Sequence, residues 1–473
     1  MKIIICGVCC ISSIALNWFN VSMVNTKKDL YDLALSDIEA TAENKWNSWN
    51  ECLSQDFTKD ERKWMRFCSS LKNFFFLFSL LLILTCCQQT SHNGRFTEDQ
   101  IKSMCLNSTE LSPICTKDLQ TIDLNPFLGK KSFELTPHIK EIKLVKLETS
   151  DNSLVDNIYK VIVTDSMIYI FDGYKGGGLV LFNSNGKFIK RIAHGGGPGE
   201  LSQLCDVSYD ENSKELITYQ HPYLKFYSSK GEFLRQQTLP LGFYNFFPLA
   251  DGYILKTLDS YGNEHLGDIS KYTVYLTDKK FRIKNAYLRN IPNNANYGGY
   301  SYLYFNSGSI QITGNFNDTI YHYTSEGLSA VYAIDYSSKK LPENALDLKH
   351  KEFYSFLCSN DYYYFLGEYL ETPECNVFYL RNDYRGFQTV VFRDKRNGKM
   401  FGGTNANFDI SEIPAIAFPK TTFKDYLVSI HYPNIKQDSL LKNSHLLSKE
   451  DKNKICNLKE DDNPVVIFYQ LKF

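Results

Sequence analysis

The sequence predicts an all-β fold, a six-bladed β-propeller built from four-stranded blades. Its 33 Phe and 32 Tyr bring the aromatic fraction to 15 %, and such residues favour half-buried β surfaces. Four short strand-like segments recur about every 40 to 50 residues, which is the period of a propeller blade. The chain also ends in an apolar segment that has a potential strand partner near residue 141, so the ring can close.

Residues 65–87 carry a predicted bacterial lipoprotein signal. A basic stretch opens this segment, the apolar run 74–84 follows, and Cys86 and Cys87 come shortly after. The run is shorter than the roughly 20 apolar residues that a membrane-spanning helix needs. A basic start, a short apolar run and small residues before a cysteine therefore indicate export, with lipid attached at Cys86 or Cys87.

Residues 1–64 form a separate segment with its own signal-like start at residues 1–24. Its stretch Ile38-Glu39-Ala40-Thr41-Ala42 resembles the motif of the NVEALA family, short exported peptides of Bacteroides-type bacteria. The resemblance implies a secreted peptide with its own partner. Two export signals in one reading frame favour two adjacent genes that have been joined. The alternative is a genuine fusion with an internal transmembrane segment.

Residues 88–135 are polar and weakly patterned, which predicts a tether between the lipid and the folded domain. No acidic cluster follows the cysteines, since residues 88–96 contain only basic and neutral groups. Surface lipoproteins of Bacteroides-type bacteria often carry such a cluster, so we expect the periplasmic face of the outer membrane, with surface exposure as the alternative. The 52 Lys and Arg balance the 53 Asp and Glu, which excludes a global field that would attract nucleic acid.

Residues 136–473 contain the six predicted blades. In the first four, a short turn joins the third and fourth strands, as at Asn185-Gly186, a dipeptide typical of hairpins. A fifth blade is expected over roughly Phe353 to Lys395, and a sixth from about Phe401 to the C-terminus. The strands predicted for the first four blades are 159–164, 167–172, 178–183 and 188–193; 205–210, 215–220, 224–229 and 232–239; 244–250, 252–259, 271–278 and 283–290; and 301–306, 309–315, 318–324 and 328–335.

Ring closure is predicted to pair the two ends of this region. The last blade ends in Val465–Phe473 without a following hairpin, and residues 141–147 offer the missing strand. Pairing them would satisfy two sheet edges that otherwise invite aggregation. The charged stretch 437–458, with its regularly spaced leucines, predicts a helix inserted in the last blade.

Three runs of the sequence, 158–172, 181–201 and 463–473, resemble the six-bladed β-propeller lipoproteins of Bacteroides-type bacteria, which are relatives of NHL-repeat propellers. The resemblance implies a fold and a compartment, but no activity. The glycine-rich run Gly195–Glu200 matches the NHL-like link between blades one and two. A phosphate-binding loop is disfavoured there, because no Lys-Ser/Thr follows and no helix begins.

Aromatic clusters near blade starts are the main binding candidates. Tyrosine combines a large apolar ring with a polar hydroxyl group and therefore suits a sugar or peptide surface. The alternative is that these rings fill the gaps between blades. The sequence thus favours a binding or scaffold module for a peptide, glycan or partner protein, with no cofactor. The candidate ligand-facing residues are Tyr297, Tyr300, Tyr302, Tyr362, Tyr363 and Asp206.

A metal-dependent hydrolase or lyase is the alternative function. Propeller enzymes of this kind hold a metal with acidic and imidazole side chains that converge on the central channel. Asp206 is the best-placed candidate, on the predicted inner strand of blade two, although blades three and four offer no equivalent carboxylate. A solvated or strand-end polar role is favoured over a metal-ligand role for it and for Asp172, His194, His221, His265 and His431. No nucleophile elbow is found.

The cysteines after Cys87 are scattered. In an oxidising compartment Cys105 with Cys115, and Cys358 with Cys375, have spacings that permit disulfides. Free thiols are the equally supported alternative at all four positions. The absence of a Cys-x-x-Cys pair argues against a zinc site.

Overall fold

The structure, a computed structural model, describes residues 111–473 apart from 130–131, 174–177, 258–262, 293–302, 307, 383–387, 407–415, 417 and 435–444, together with residues 99 and 103. The predictions for both signal-like segments, for lipidation at Cys86 or Cys87 and for Cys105 lie outside these residues. Within the described part, no helix has the length and apolar character needed to cross a membrane.

Six four-stranded antiparallel sheets form a ring of blades, which confirms the predicted six-bladed propeller. In blades one to five the strands follow one another along the chain from the inside of the ring to the outside. The strands of blades one to three are β4 Ile158–Val163, β5 Met167–Asp172, β6 Gly178–Asn183 and β7 Phe188–Ala193; β8 Asp206–Asp210, β9 Glu215–Gln220, β10 Tyr223–Ser228 and β11 Phe233–Thr238; and β12 Asn245–Pro248, β13 Gly252–Lys256, β14 Tyr272–Asp278 and β15 Ile283–Arg289.

The segment that precedes blade one adds strands to the sheets of blades four and six. That segment contributes β1 Gln120–Asp123, β2 Ser132–Phe133 and β3 Ile139–Lys146. Blades four to six contain β16 Tyr304–Asn306, β17 Ser309–Gly314, β18 Asn317–Thr324 and β19 Gly327–Asp335; β20 Tyr369–Glu371, β21 Cys375–Arg381, β22 Gln388–Asp394 and β23 Met400–Gly403; and β25 Thr421–Phe423, β26 Tyr426–His431, β27 Val465–Leu471 and β3, while β24 Asn405–Ala406 pairs with β2.

The helices lie in connections between strands. The α-helix α1, His350–Ser359, precedes blade five, and α2, Lys449–Cys456, lies between β26 and β27. α2 falls within the predicted helical insertion 437–458, whose first residues are not among those described. The short 3-10 helices are Asn125–Phe127, Thr136–His138, Glu264–Lys271, Ser337–Lys339 and Glu343–Asp347.

Ring closure occurs as predicted. β27 pairs antiparallel with β3, from Val465 opposite Lys146 to Leu471 opposite Ile139. Apolar side chains then fill the junction between the closed blade six and blade one, including Val161, Val428 and Val466. A comparable buried cluster lies at each of the other five junctions. The propeller core is therefore a ring of inter-blade layers.

A polar side chain at the end of the third strand fixes the turn to the fourth. Asn183 Oδ1 accepts hydrogen bonds from the backbone N–H groups of Asn185 and Lys187, both at 3.0 Å. Such a side chain copies a backbone turn and lets the hairpin form locally. Four further blades have a capping residue at the same place: Ser228, Asp278, Thr324 and Asp394.

Blade five begins later than predicted. The expected unit from Phe353 to Lys395 contains α1 in its first part, and its strands span residues 369–403. Phe353 and Leu357 are four residues apart, so a helix places them on one face, and both are buried there. Both join a small cluster beneath the helix. The helical spacing of these two residues overrides the aromatic composition that favours strands.

The chain that precedes blade one packs against the propeller, so the predicted tether 88–135 ends earlier. β1 runs parallel to β19 as a fifth strand of blade four, with Gln120 opposite Tyr332. Leu124 and Leu135 are buried, as are Ile122, Phe127 and Phe133. These apolar residues are spread over a polar stretch, which is why the sequence appeared weakly patterned.

The described cysteines are free thiols. Cys358 is exposed on α1, whereas Cys375 is buried at the start of β21, so the structure does not contain the predicted Cys358–Cys375 bridge. Cys115 is also free. Burial raises the pKa of the Cys375 thiol well above its ordinary value, which makes it an inert core residue.

Candidate functional site at the long-connection face

The connections between strands differ in length at the two faces of the ring. Because each blade is antiparallel and repeats the same strand order, first-to-second and third-to-fourth connections emerge on one face. All of these are short turns, such as 164–166 and 395–399, and we call this the tight-turn face. The opposite face, the long-connection face, carries among others the connections 257–271, 336–368 and 432–464.

Asp206 lies inside the ring in a buried ion pair. It is the first residue of β8, and Lys160 Nζ of β4 donates to its Oδ1 at 2.8 Å. The backbone N–H of Phe246 in blade three donates to Oδ2 at 3.1 Å. Burial raises the pKa of Asp206, and the positive charge of Lys160 counteracts this rise. Asp206 therefore ties together the inner strands of three blades. It is buried, whereas the sequence favoured a solvated or strand-end polar role.

Tyr304 also occupies the interior of the ring. Its hydroxyl group, on the inner strand of blade four, donates to the backbone carbonyl of Lys420, just before the inner strand of blade six, at 3.0 Å. Burial raises the pKa of Tyr304, and the charge of Asp206 adds to the rise. The inner strands are thus connected by side chains at the ends that lie nearest the long-connection face.

The acidic and histidine candidates are not brought together. His221 follows β9 and lies 3.4 Å from the Tyr219 hydroxyl group through Nδ1, and burial lowers its pKa. Asp172 and His431 end the second strands of blades one and six, and both are buried. His194 and His265 lie in other connections. Over the described ranges, no group of three or more His, Cys, Asp or Glu side chains could hold a metal ion.

The predicted tyrosine cluster is described only in part. Tyr297, Tyr300 and Tyr302 lie outside the described residues. Tyr363 is buried between blades four and five, where its hydroxyl oxygen accepts the backbone N–H of Gly129 at 2.9 Å. Tyr362 is half-buried, and its ring stacks on a phenylalanine of α1. Tyr363 is therefore part of the packing between blades.

A second buried carboxylate, Glu371, was not anticipated from the sequence. It ends the inner strand β20 and accepts hydrogen bonds from the Tyr369 hydroxyl group at 2.8 Å and from Lys395 Nζ at 2.5 Å. His322 Nε2 of blade four lies 2.7 Å from its Oε2. We call these four residues the Glu371 cluster. His322 and Lys395 are distant from Glu371 in the sequence, so only the unexpected carboxylate of Glu371 in an apolar strand could have indicated the cluster.

The electrostatics of the Glu371 cluster favour a charged carboxylate. Burial acts to raise the pKa of Glu371, but the hydrogen bonds and charges of His322 and Lys395 outweigh it and hold the pKa below its ordinary value. Burial and the neighbouring Glu371 charge raise the pKa of the Tyr369 hydroxyl group well above its usual range. All the partners of Glu371 are donors, so the cluster fastens blade four to blade five.

These features define a propeller with an internally cross-linked ring and one elaborated face. Residues 119–470 match the model of a family described as a domain of unknown function, DUF4934, and the chain belongs to that family. No curated protein matches the sequence.

Solved structures are similar to the chain at low sequence identity, and the first of those below shares its fold. A Bacteroides fragilis protein described as exported is 16 % identical with a TM-score of 0.59, and the match covers 75 % of this chain and all of that one. The extracellular domain of a one-component system from Bacteroides thetaiotaomicron is 12 % identical with a TM-score of 0.29, covering 62 % of this chain and 30 % of that one. A Bacteroides caccae protein of unknown function is 12 % identical with a TM-score of 0.32, covering 50 % and 77 %.

Proposed function

We propose that the protein is a binding module of the cell envelope. Its propeller would be held outside the cytoplasm by lipid on Cys86 or Cys87, on the periplasmic face of the outer membrane. It would bind a peptide, glycan or partner protein through the long-connection face. The observation that carries this proposal is the difference between the two faces of the ring.

Several features support the long-connection face as the binding surface. Function in a propeller is carried by connections on a rigid scaffold, and the connections that vary in length are found on this face. The tight-turn face offers short hairpins whose polar groups are used by the turns themselves, as at Asn183. The ion pair of Lys160 with Asp206 and the inter-blade cores make the scaffold rigid.

An envelope location is supported by the signal in residues 65–87 and by a relative. The Bacteroides fragilis protein that shares the fold is described as exported. Labelling of cells with a radioactive fatty acid tests the lipid. We expect the protein to carry the label and the double variant Cys86→Ser/Cys87→Ser to lose it, while a label that persists in the double variant would contradict lipidation.

Site-directed photo-crosslinking in intact cells tests the binding face. Asn157 and Asn185 form a matched pair, since both are exposed asparagines of the region around blade one. Asn157 precedes the inner strand on the long-connection face, and Asn185 lies in the turn 184–187 on the tight-turn face. A photoreactive residue should give a discrete adduct at 157 and none at 185. Equal adducts at both positions, or none at 157, would contradict the proposal.

A further inference from the structure

Two half-exposed tyrosines lie together at the junction of blades one and six. Tyr159 is near the start of β4 and is 51 % exposed, and Tyr432 follows β26 and is 46 % exposed. The backbone N–H of Ile158 donates to the Tyr432 hydroxyl oxygen at 3.3 Å. The two side chains therefore flank one backbone segment, and both belong to the long-connection face.

A β-bulge directs the Tyr159 side chain outward. The register between β4 and β5 shifts between Ile158 and Lys160, and in the described pairing of first and second strands this occurs only in blade one. Bulges re-aim side chains and are frequent next to functional sites. The Tyr159 ring is supported from beneath, because a Cβ added to Gly173 would come within 2.2 Å of it.

Two carboxylates lie near Tyr432 and the segment that leads to Tyr159. Asp172 is buried and accepts the backbone N–H groups of Asp156 and Asn157, which positions the segment leading to Tyr159. Asp156 is exposed, and among the described residues none forms a hydrogen bond or ion pair with its carboxylate. Burial raises the pKa of Tyr432, and the charges of Asp172 and then Asp156 add to the rise, so all three groups are close.

The carboxylate of Asp156 places an exposed negative charge at this junction. Among the described residues, Arg191 interacts electrostatically with Asp172, and its guanidinium group donates to the backbone carbonyls of Asn152 and Leu154. The proposal therefore uses the charge of Asp156 and not that of Asp172. A negative site lined by tyrosine rings attracts cations, because the ring face carries negative charge density.

We propose that Tyr159, Tyr432 and Asp156 form a binding site for the ammonium or guanidinium group of a basic peptide or protein segment. The rings would contact the cation through their faces, and Asp156 would form the ion pair. This inference rests on the proposed function, since it names the ligand class for the binding face. Asp172 acts as a positioning residue that holds the segment before Tyr159.

Binding of labelled oligopeptides to the full chain, measured by fluorescence anisotropy at low salt, tests the site. We expect an oligo-arginine peptide to bind and an oligo-glutamate peptide not to bind. Asp156→Asn and Tyr159→Ala should each raise the Kd for oligo-arginine roughly threefold to fivefold, the order expected for an exposed ion pair and an exposed cation–π contact. The effect of Asp156→Asn should shrink as salt screens the pair.

Matched variants separate the site from its surroundings. Asp151→Asn removes an exposed carboxylate nearby, and Leu154→Ala removes an exposed apolar side chain, so both should leave the Kd unchanged. Gly173→Ala should displace the Tyr159 ring and weaken binding, because the added Cβ takes its place.

Three outcomes would overturn the cation site: an Asp156→Asn variant with unaltered Kd, equal binding of the oligo-glutamate peptide, or binding of a neutral oligosaccharide that depends on Tyr159 but not on Asp156. The crosslinking experiment keeps the two proposals apart. An adduct at 157 that survives Asp156→Asn would leave the binding face standing and remove the cation site. Oligo-arginine binding that depends on Asp156, without any adduct at 157 in cells, would support the cation site and contradict the proposed binding face.

Discussion

The propeller contains two buried carboxylates that join neighbouring blades, and their pKa values shift in opposite directions. The pKa of Asp206 is raised, because burial outweighs the effects of Lys160 and of the backbone N–H groups of Val207 and Phe246. The pKa of Glu371 is lowered, although burial opposes this, because two basic side chains reach it. The side chains of His322 and Lys395 are 16 % and 21 % exposed, whereas that of Lys160 is 3 % exposed.

The comparison shows that the number of bases and their access to water decide the state of a buried carboxylate. Lys160 loses nearly all its hydration to meet Asp206, so the pair recovers little of the cost of burying both charges. His322 and Lys395 stay partly hydrated while contacting Glu371, so its charge is stabilised at lower cost. A buried carboxylate paired with basic side chains is therefore stabilised differently at the two junctions between blades.

Removal of the Lys160 charge should have the largest effect. Lys160→Met leaves the carboxylate of Asp206 buried without its counter-ion, and we expect the free energy of unfolding to fall by about 3–5 kcal/mol. Urea denaturation monitored by tyrosine fluorescence measures it. The double variant Lys160→Met/Asp206→Leu should recover much of the loss, since a buried pair can be replaced by apolar groups. A Lys160→Met variant as stable as the wild type would show that Asp206 does not need Lys160 as its counter-ion.

Neutralising Glu371 should have a smaller effect. Glu371→Gln keeps the shape but weakens its charge-assisted hydrogen bonds to His322 and Lys395, and we expect a loss of about 1–3 kcal/mol in the same denaturation experiment. Glu232→Gln is the control, because its ion pair with Lys190 lies on the surface, where such changes stay within about 0.5 kcal/mol. A larger loss of stability for Glu371→Gln than for Lys160→Met would contradict the expected order of the two effects.

The pH dependence of stability should have opposite signs at the two sites. Glu371 has a lowered folded-state pKa, so its contribution is present above its unfolded pKa of about 4.3 and is lost as the pH falls through the folded value. Asp206 has a raised folded-state pKa, so its protonation favours the folded state as the pH falls from that value towards about 3.9.

Urea denaturation repeated at decreasing pH measures how each carboxylate changes the free energy of unfolding. Relative to wild type, Glu371→Gln should lose less stability on acidification, and Asp206→Asn should lose more. Parallel curves for the two variants would show that both carboxylates titrate alike, contrary to the structure.

The smallest expected effect belongs to Tyr304. Tyr304→Phe removes the hydrogen bond to the carbonyl of Lys420 and should cost about 1 kcal/mol, measured by the same urea denaturation. Combined with Asp206→Asn, the two losses should not add, since Tyr304 lies within the electrostatic range of Asp206. Strict additivity would show that the two groups act independently.

The repeating part of the fold could be predicted because its signals are local. Strands such as Met167–Asp172 and Glu215–Gln220 are bounded by turn residues next to them in the sequence. Blade five was misplaced at its start because α1 contains aromatic residues such as Phe353, which are of the kind found in strands. β1 was missed because its partner β19 lies far along the chain.

The candidate sites were less predictable, because they join distant positions. The sequence placed Asp206 on an inner strand, but Lys160 had no feature that marked it as a partner. His322, Glu371 and Lys395 belong to different strands and turns, and a single sequence does not show that they meet. Tyr159 is exposed through a bulge, which shifts the alternation of side chains that sequence reasoning assumes.

The closure of the ring also constrains how the protein is made. β3 leaves the ribosome early, and its antiparallel partner β27 lies at the very end of the described chain, with Lys146 opposite Val465. The outer strand of blade six must therefore wait until residues 465–471 have been synthesised before it can pair. Contacts of such long sequence separation slow folding and leave an unpaired edge open to aggregation meanwhile. Protection of the β3 edge until residues 465–471 have been synthesised would postpone that hazard.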